Sequence, residues 1–343
     1  MSRVRLVAII GLLAGLAAAT LLILHRGVGA VWDAASALGW GGFAAVLAVH
    51  GVLVVVMGLS WWVLGLGRAD ARPARFVWGR LIRDAASEAL PLSQVGGYVF
   101  GARAAALAGV SGAFAAASTA VDITAELAGQ LLYTLLGLGL LAALRPGDPL
   151  LWPLFVGVVI MAVLGAGFVV VQARGAGAIE RLGARLVRDW LHVGSGQSNA
   201  LARAMGDIYG RHGALLLAVV LHTATWVGSG LETWLTLRLM GEPTTIGQAL
   251  VIDSLLYGIR SVAFLVPNAL GVQEGALVML GGMFGLGPAH ALALSLIKRA
   301  RDLAIGVPAL LAWQLLEGRR VWPGKTPAER TPAERTPAGA DAA

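Results

Sequence analysis

Cysteine is absent from the 343 residues, which excludes structural disulfides, thiolate metal sites and cysteine nucleophiles together. Charge is scarce as well. Asp, Glu, Lys and Arg make up 13% of the chain, against roughly a quarter in soluble domains. Common enzyme signatures are missing: the sequence contains no HExxH, no GxSxG elbow and no paired-Asp motif for a prenyl diphosphate. Gly324-Lys325-Thr326 imitates the end of a phosphate-binding loop, but its first glycine is misplaced and no strand precedes it. The chain is therefore expected to be no enzyme and to need no metal and no cofactor.

What the chain has in abundance is apolar residues, 57% of the total. Several runs reach the ~20 residues needed to cross a bilayer, so the expected fold is an all-α polytopic integral membrane protein. The net charge of +7 lies in loops. This is the positive-inside pattern of a membrane protein rather than a nucleic-acid surface.

In order, apolar runs cover Ser2 to Leu24, Gly42 to Leu66, Gly112 to Leu144, Leu150 to Val171, Gly213 to Leu239 and Pro288 to Leu316. The first is longer than a signal-peptide core and lacks a cleavage site, which predicts a retained span. Arg68, Arg72, Arg75, Arg80 and Arg83 against Asp70 and Asp84 form a basic stretch. Interleaved with Phe76, Val77, Trp78, Leu81 and Ile82, they predict an amphipathic helix in the membrane interface. A second basic stretch, Arg174 to Arg211, carries six Arg against Glu180, Asp189 and Asp207. From Thr326 the chain repeats TPAER, a Pro-rich polar tail expected to be disordered.

Two regions are too interrupted for simple spans. Residues 88–109 contain Pro91, Gly96, Gly97, Gly101 and Arg103, and residues 244–286 contain Asp253, Arg260, Pro267, Gly271 and Gly275. Irregular backbone at membrane depth must be covered by protein or face water, so both are expected to be re-entrant. The two broken regions sit in similar surroundings. His50 precedes Trp61, and His222 precedes Trp234. Pro91 lies 31 residues before Asp122, and Pro267 lies 32 before Arg299. These parallels predict an inverted repeat with halves 1–145 and 146–320 and a tail 321–343, both termini on the cytoplasmic side. The sequence allows two span counts: six with two re-entrant segments, or eight with the second segment crossing twice.

Ionisable groups inside apolar spans are expensive and mark function by default. Asp122, Glu126 and Gln130 are spaced four apart and share one helix face. Lys298, Arg299, Arg301 and Asp302 interrupt the last span. These seven are expected to form a charged seam between the halves, with Asp122 and Glu126 facing the basic cluster, while Lys298 and Asp302 are also spaced to pair within their own helix. A static buried network is the alternative. Glu88, Gln94, Arg103, Arg260, Gln273 and Glu274 are candidates to line the cavity, or else interfacial anchors. His50 and His222 are either proton relays or packing residues. The glycine pairs 97/101 and 271/275 fit helix packing.

SEALPLSQVGGYVFGARAAALAG, TAVDITAELAGQ, SVAFLVPNALGVQEGALVML and ALSLIKRARDLAIGVPALLAW resemble the transmembrane family of the lysylphosphatidylglycerol synthases, and more closely its hopanoid-associated, HpnL-type branch. The resemblance covers about residues 1–320. It implies a bacterial inner-membrane protein with a lipid-translocating fold, whose partner is a membrane lipid: a hopanoid, or an anionic or aminoacylated phospholipid. The hopanoid branch also implies association with hopanoid-biosynthesis enzymes. Flippase or transporter activity is the expectation. An accessory scaffold, or an intramembrane transferase with Asp122 or Glu126 as base, is the alternative.

Overall fold

The computed structural model describes residues 27–89, 93–174, 198–263 and 266–321, together with 17, 20, 21 and 24. Among these residues there are eleven α-helices, a short 3-10 turn at Pro267–Ala269 and no strand. In hydrocarbon a helix satisfies its backbone groups internally, which is why apolar runs of this length take that form. The helices are α1 (Val28–Ser36), α2 (Gly39–Val63), α3 (Pro73–Ala89), α4 (Ser93–Leu107), α5 (Gly112–Leu144), α6 (Leu151–Arg174), α7 (Ser198–Tyr209), α8 (His212–Leu239), α9 (Ile246–Val262), α10 (Val272–Gly282) and α11 (Pro288–Val321). The expected first span and the tail from 322 fall largely outside the described residues.

Four helices are long and apolar enough to cross a membrane: α2, α5, α8 and residues Leu151–Val170 of α6. Their outward faces carry large apolar side chains, with Trp152 and Val163 more than half exposed. α11 has 34 residues, about 51 Å at 1.5 Å per residue, but its charged block keeps it from being a simple apolar span. The chain is an all-helical polytopic membrane protein.

The stretch expected to lie as an amphipathic helix in the interface does something else. It forms α3, and α3 pairs closely with α4, so the first broken region is part of a helical hairpin over Pro73–Leu107 rather than a segment confined to 88–109. Small residues make this approach possible. A Cβ at Gly101 would stand 2.7 Å from Arg83 Cβ and 2.9 Å from the Gly79 carbonyl oxygen. Phe76 and Ile82 are fully buried, and so nearly are Arg80 and Arg83. Amphipathic periodicity reports that one face is apolar, not that the polar face meets water. Here the polar face meets carboxylates.

The second broken region forms the corresponding hairpin. Its first arm, α9, has 17 residues, as α3 does, and α10 has 11. At ~1.5 Å per residue neither α9 nor α10 reaches across the ~30 Å hydrocarbon core. The turn between them places Asn268 and Ala269 at φ 50° and 45°, and Gly271 at φ 77° starts α10, its N–H donating to Glu274 at 2.8 Å. The two glycine pairs therefore differ: Gly97 and Gly101 are packing surfaces, whereas Gly271 serves a left-handed turn and Gly275 has open space beside it.

α2 and α8 run antiparallel. Gly42 lies beside Leu239 and Gly228 beside Leu53, and His50 meets Glu232 at 3.0 Å. The element following each is arranged alike. The Trp62 indole donates to the Ala71 carbonyl at 2.9 Å, and the Trp234 indole donates to the Thr244 carbonyl at 3.1 Å. Each bond closes the loop that leads into a hairpin. Trp62, twelve residues after His50, is thus the counterpart of Trp234, twelve after His222. Trp61, the expected counterpart, instead packs inward and donates to Ser118 at 3.0 Å.

Each long helix passes both hairpins. The first half of α5 meets α3 through Asp122 and Glu126, and its second half meets α9, where Gly137 sits against Ser254. α11 meets the second hairpin first, through Lys298 and Arg299, and then the first, through Phe100–Trp313 and Arg103–Glu317. The base of the first hairpin lies at one end of the molecule with α7: Arg211 donates to the Leu64 and Leu66 carbonyls, and Arg75 to the Gly109 carbonyl at 2.7 Å. Here the backbone N–H of Ser111 and the Arg68 guanidinium both donate to Asp70. Burial pushes the Asp70 carboxyl up, but these donors outweigh it and hold the group below its ordinary value. At the opposite end Arg145 donates to the Met283 carbonyl and His290 meets Glu242 at 2.9 Å.

Candidate functional site

The two hairpin tips meet inside the molecule. Arg260, near the end of α9, reaches Glu88, near the end of α3, at 3.3 Å, and the Asn268 side chain donates to the Glu88 carbonyl at 3.3 Å. Beside this junction lies a cavity of about 370 Å³, walled by α2, α3, α4, α5, α8, α9 and α11. That is within the range of small-ligand sites, roughly 300–1,000 Å³.

Its charged wall comes from both halves: Arg80, Arg83, Asp84, Glu88 and Glu126 from one, Arg260, Arg301 and Asp302 from the other, with His50 between. Four cations face four carboxylates, so the wall is electroneutral apart from His50. Tyr98, Trp226 and Tyr257 add aromatic surface, and Arg83 lies over the Tyr98 ring at 4.2 Å from its centroid. The charges are fixed by one another. Arg80 donates to Asp84 at 2.8 Å and to Glu126 at 2.9 Å. Arg83 bridges Asp122 at 2.8 Å and Glu126. Arg301 holds Asp302 at 2.7 Å and also binds Glu232. The Arg80 Nη1 atom, buried in this wall, has no acceptor among the described residues.

Several expected residues meet here, but not as expected. Asp122 and Glu126 do not face Lys298, Arg299 and Arg301. Their cations are Arg80 and Arg83 on the adjoining hairpin, and Asp122 also meets His222 at 2.9 Å. Lys298 pairs with Asp253 at 2.9 Å and Arg299 with Glu274 at 3.0 Å, both beyond the cavity wall. Lys298 does not pair with Asp302, which Arg301 holds instead. Both hairpins touch both long helices, so packing alone does not choose the partners. Arg80 and Arg83, three apart on one face of α3, stand within reach of Asp122 and Glu126, and Asp253 of α9 stands within reach of Lys298.

Gln130 lines the cavity and donates to the Tyr257 carbonyl at 3.1 Å and to Ser261 at 2.6 Å. Gln273 and Glu274 stand behind it, tied to Ser295 at 2.8 and 2.7 Å; Gln273 also accepts from Arg260 at 2.8 Å. Arg103 is away from the wall, bound to Glu317. The side chain of Gln94 lies outside the described residues. Residues outside the expected seam turn out to matter: Arg80, Arg83 and Asp84, expected on an interfacial helix, and Glu232 of α8, which binds Arg301. An available signal was charge balance, since a buried acidic pair on α5 requires cations, and α3 is the nearest element supplying two on one face.

Among the described residues no group of three or more His, Asp and Glu is placed to hold a metal ion. Asp122 and His222 are both fully buried, so that pair is closed to a ligand from the cavity. What the site can do is hold a small polar or charged group among paired charges and aromatic rings, inside a body whose exterior is apolar. A model of the lysylphosphatidylglycerol synthase transmembrane region matches residues 8–309. No curated protein and no solved structure matches the chain. Helical architecture, mid-membrane charge and this match over most of the length agree: the chain belongs to the lysylphosphatidylglycerol synthase transmembrane-region family and is a lipid-related membrane protein.

Proposed function

We propose that the central cavity takes the polar headgroup of a membrane lipid and that the protein moves this lipid between leaflets of a bacterial inner membrane, without changing it chemically. The observation that carries the proposal is the cavity itself: charged groups from both halves, gathered where two broken helices meet, inside an apolar exterior. Broken helices meeting between two halves are a recurrent form of transport site. The non-enzymatic character is supported by the state of the carboxylates, since Asp84, Glu88, Glu126 and Asp302 are each held by an arginine. Arg80, Arg83, Arg260 and Arg301 line the cavity and supply N–H groups for headgroup oxygens. A hopanoid-linked lipid is the substrate we favour, on the resemblance of the four motif blocks. The end bearing Arg68, Arg75, Arg203 and Arg211 is assigned to the cytoplasm by the positive-inside rule, with both termini there.

Reconstitution tests it. Vesicles carrying the purified chain should equilibrate a fluorescent headgroup-bearing lipid between leaflets faster than protein-free vesicles, as read by quenching of the outer leaflet. Equal rates in the two preparations would sink the proposal. Replacing Arg260 with Gln should slow the exchange without preventing insertion, because the side chain contacts the cavity and the opposing hairpin tip.

A further inference from the structure

A second hollow opens beside the first. Between α6 and α9 lies an apolar groove of about 300 Å³. Gly157, Val158 and Met161 form one wall, and Gly258, Ile259 and Val262 the other. Its floor is Thr134 of α5, one helical turn beyond the cavity residue Gln130. α9 separates groove from cavity along most of its length. The separation ends where α9 ends: Ala263, its C-cap residue, lines both hollows.

The glycines of the groove have different causes. A Cβ at Gly258 would stand 3.0 Å from Thr134 Cγ2, so that glycine lets α9 approach α5. A Cβ at Gly157 would meet nothing within 4 Å. No packing demand explains Gly157; the missing side chain hollows the groove.

Something apolar must fill it. A water molecule needs two to four polar partners, and the one side-chain hydroxyl there, Thr134, already donates to the Gln130 carbonyl at 2.9 Å. An empty apolar hollow forfeits dispersion contacts along its whole lining. α6 is apolar and its outer face is exposed, so in a bilayer the surrounding medium is hydrocarbon. The groove differs from ordinary lipid-facing surface in being concave and in ending at the polar cavity.

We propose that the α6–α9 groove is the seat of the lipid's hydrocarbon chain, with the headgroup in the central cavity and the junction between them passing Ala263. This rests on the headgroup reading above and assigns to it the part of the lipid that reading leaves unplaced. The broken end of α9 then has a purpose: a continuous helix there would wall the chain off from the head.

The test is site mapping with a phospholipid carrying a diazirine on its acyl chain, in vesicles of phosphatidylcholine and phosphatidylglycerol containing the full chain. After photolysis, adducts should concentrate on groove residues over the exposed residues Val163 and Leu164 of the same helix. Gly157→Phe fills the hollow and should lower groove adducts about tenfold, the effect of displacing roughly two methylenes' worth of contact. Gly167→Phe, on the outward face of α6 with open space around it, should leave them unchanged. Thermal unfolding of both variants checks that each is folded. Adducts spread evenly over α6 in the unsubstituted protein overturn the inference whatever the transport assay shows. Concentrated groove adducts without lipid movement support the chain seat and count against the transport reading alone.

Discussion

In the first half the long helix α5 is acidic and the hairpin beside it is basic; in the second the long helix α11 is basic and its neighbours are acidic. The correspondence is positional. Asp122 and Lys298 are each the eleventh residue of their helix, and Arg80 and Asp253 are each the eighth residue of a first hairpin arm. Buried charge is costly unless paired with good geometry, and each half meets this requirement internally with opposite signs. The contacts that cross between halves are of another kind. They are histidine pairs (His222 with Asp122, His50 with Glu232), hydroxyl and amide bonds (Tyr133 with Asp253, Gln130 with Ser261), and ion pairs that keep some exposure (Glu88 with Arg260, Arg103 with Glu317). The arginine and lysine pairs with both partners nearly fully buried (Arg83 with Asp122, Lys298 with Asp253, Arg301 with Glu232) lie within halves, and the two arginine–glutamate pairs that cross keep more exposure than these. That arrangement suits two bodies meeting around a cavity.

The comparison is most sharply broken by removing one member of a within-half pair. Arg83→Leu leaves Asp122 and Glu126 short of a cation, and Lys298→Leu leaves Asp253 buried and unpaired. Each should lower stability by about 3–5 kcal/mol, measured by thermal or denaturant unfolding in one detergent. Adding Asp253→Leu to Lys298→Leu should recover most of the loss. A double-mutant cycle should show coupling of about 0.5–3 kcal/mol between Asp122 and Arg83 and almost none between Asp122 and Arg299; the reverse pattern would restore a seam between the halves.

The glycines give the next largest effect. Gly97→Ala must push against the Arg83 carbonyl oxygen at 2.6 Å, and overpacking of this kind costs about 1–3 kcal/mol. Gly275→Ala, with open space in a helix, should be neutral or gain up to about 1 kcal/mol. Equal effects would mean that the hairpins pack alike. Smaller still is the tip pair: Glu88→Gln should change stability by about 0–1 kcal/mol, because both partners keep some exposure, while lipid exchange changes measurably.

The smallest effect concerns pH. The folded-state pKa of Asp70 is depressed, so its contribution is present above the unfolded value of about 3.9 and is lost as pH falls through the lower folded value. An acid titration of unfolding should lose this increment in Asp70→Asn.

Much of the fold was legible in sequence because the bilayer imposes a strong constraint. Runs such as Gly39–Val63 and His212–Leu239 declare themselves by length and hydropathy, and Pro267 and Gly271 marked a real break. The first hairpin was misplaced for a definable reason. α3 is too charged for a span and carries one apolar face, and that periodicity fits an interface as well as a buried groove. The seam was misjudged because Asp122 and Lys298 are complementary in sign and both central, while nothing along the chain says which hairpin each meets.

By itself the sequence determined a Cys-free, helical, membrane-embedded chain with two interrupted regions and two clusters of mid-membrane charge. These follow from local composition, through the cost of exposing backbone or charge to hydrocarbon. Only the tertiary structure decided how those charges are shared: Arg80 and Arg83 with α5, Asp253 and Glu274 with α11, and Glu88 with Arg260 where the hairpins meet. Pairing depends on distances of 2.8–3.3 Å between groups 25 to 172 residues apart, and periodicity along a chain carries no such information.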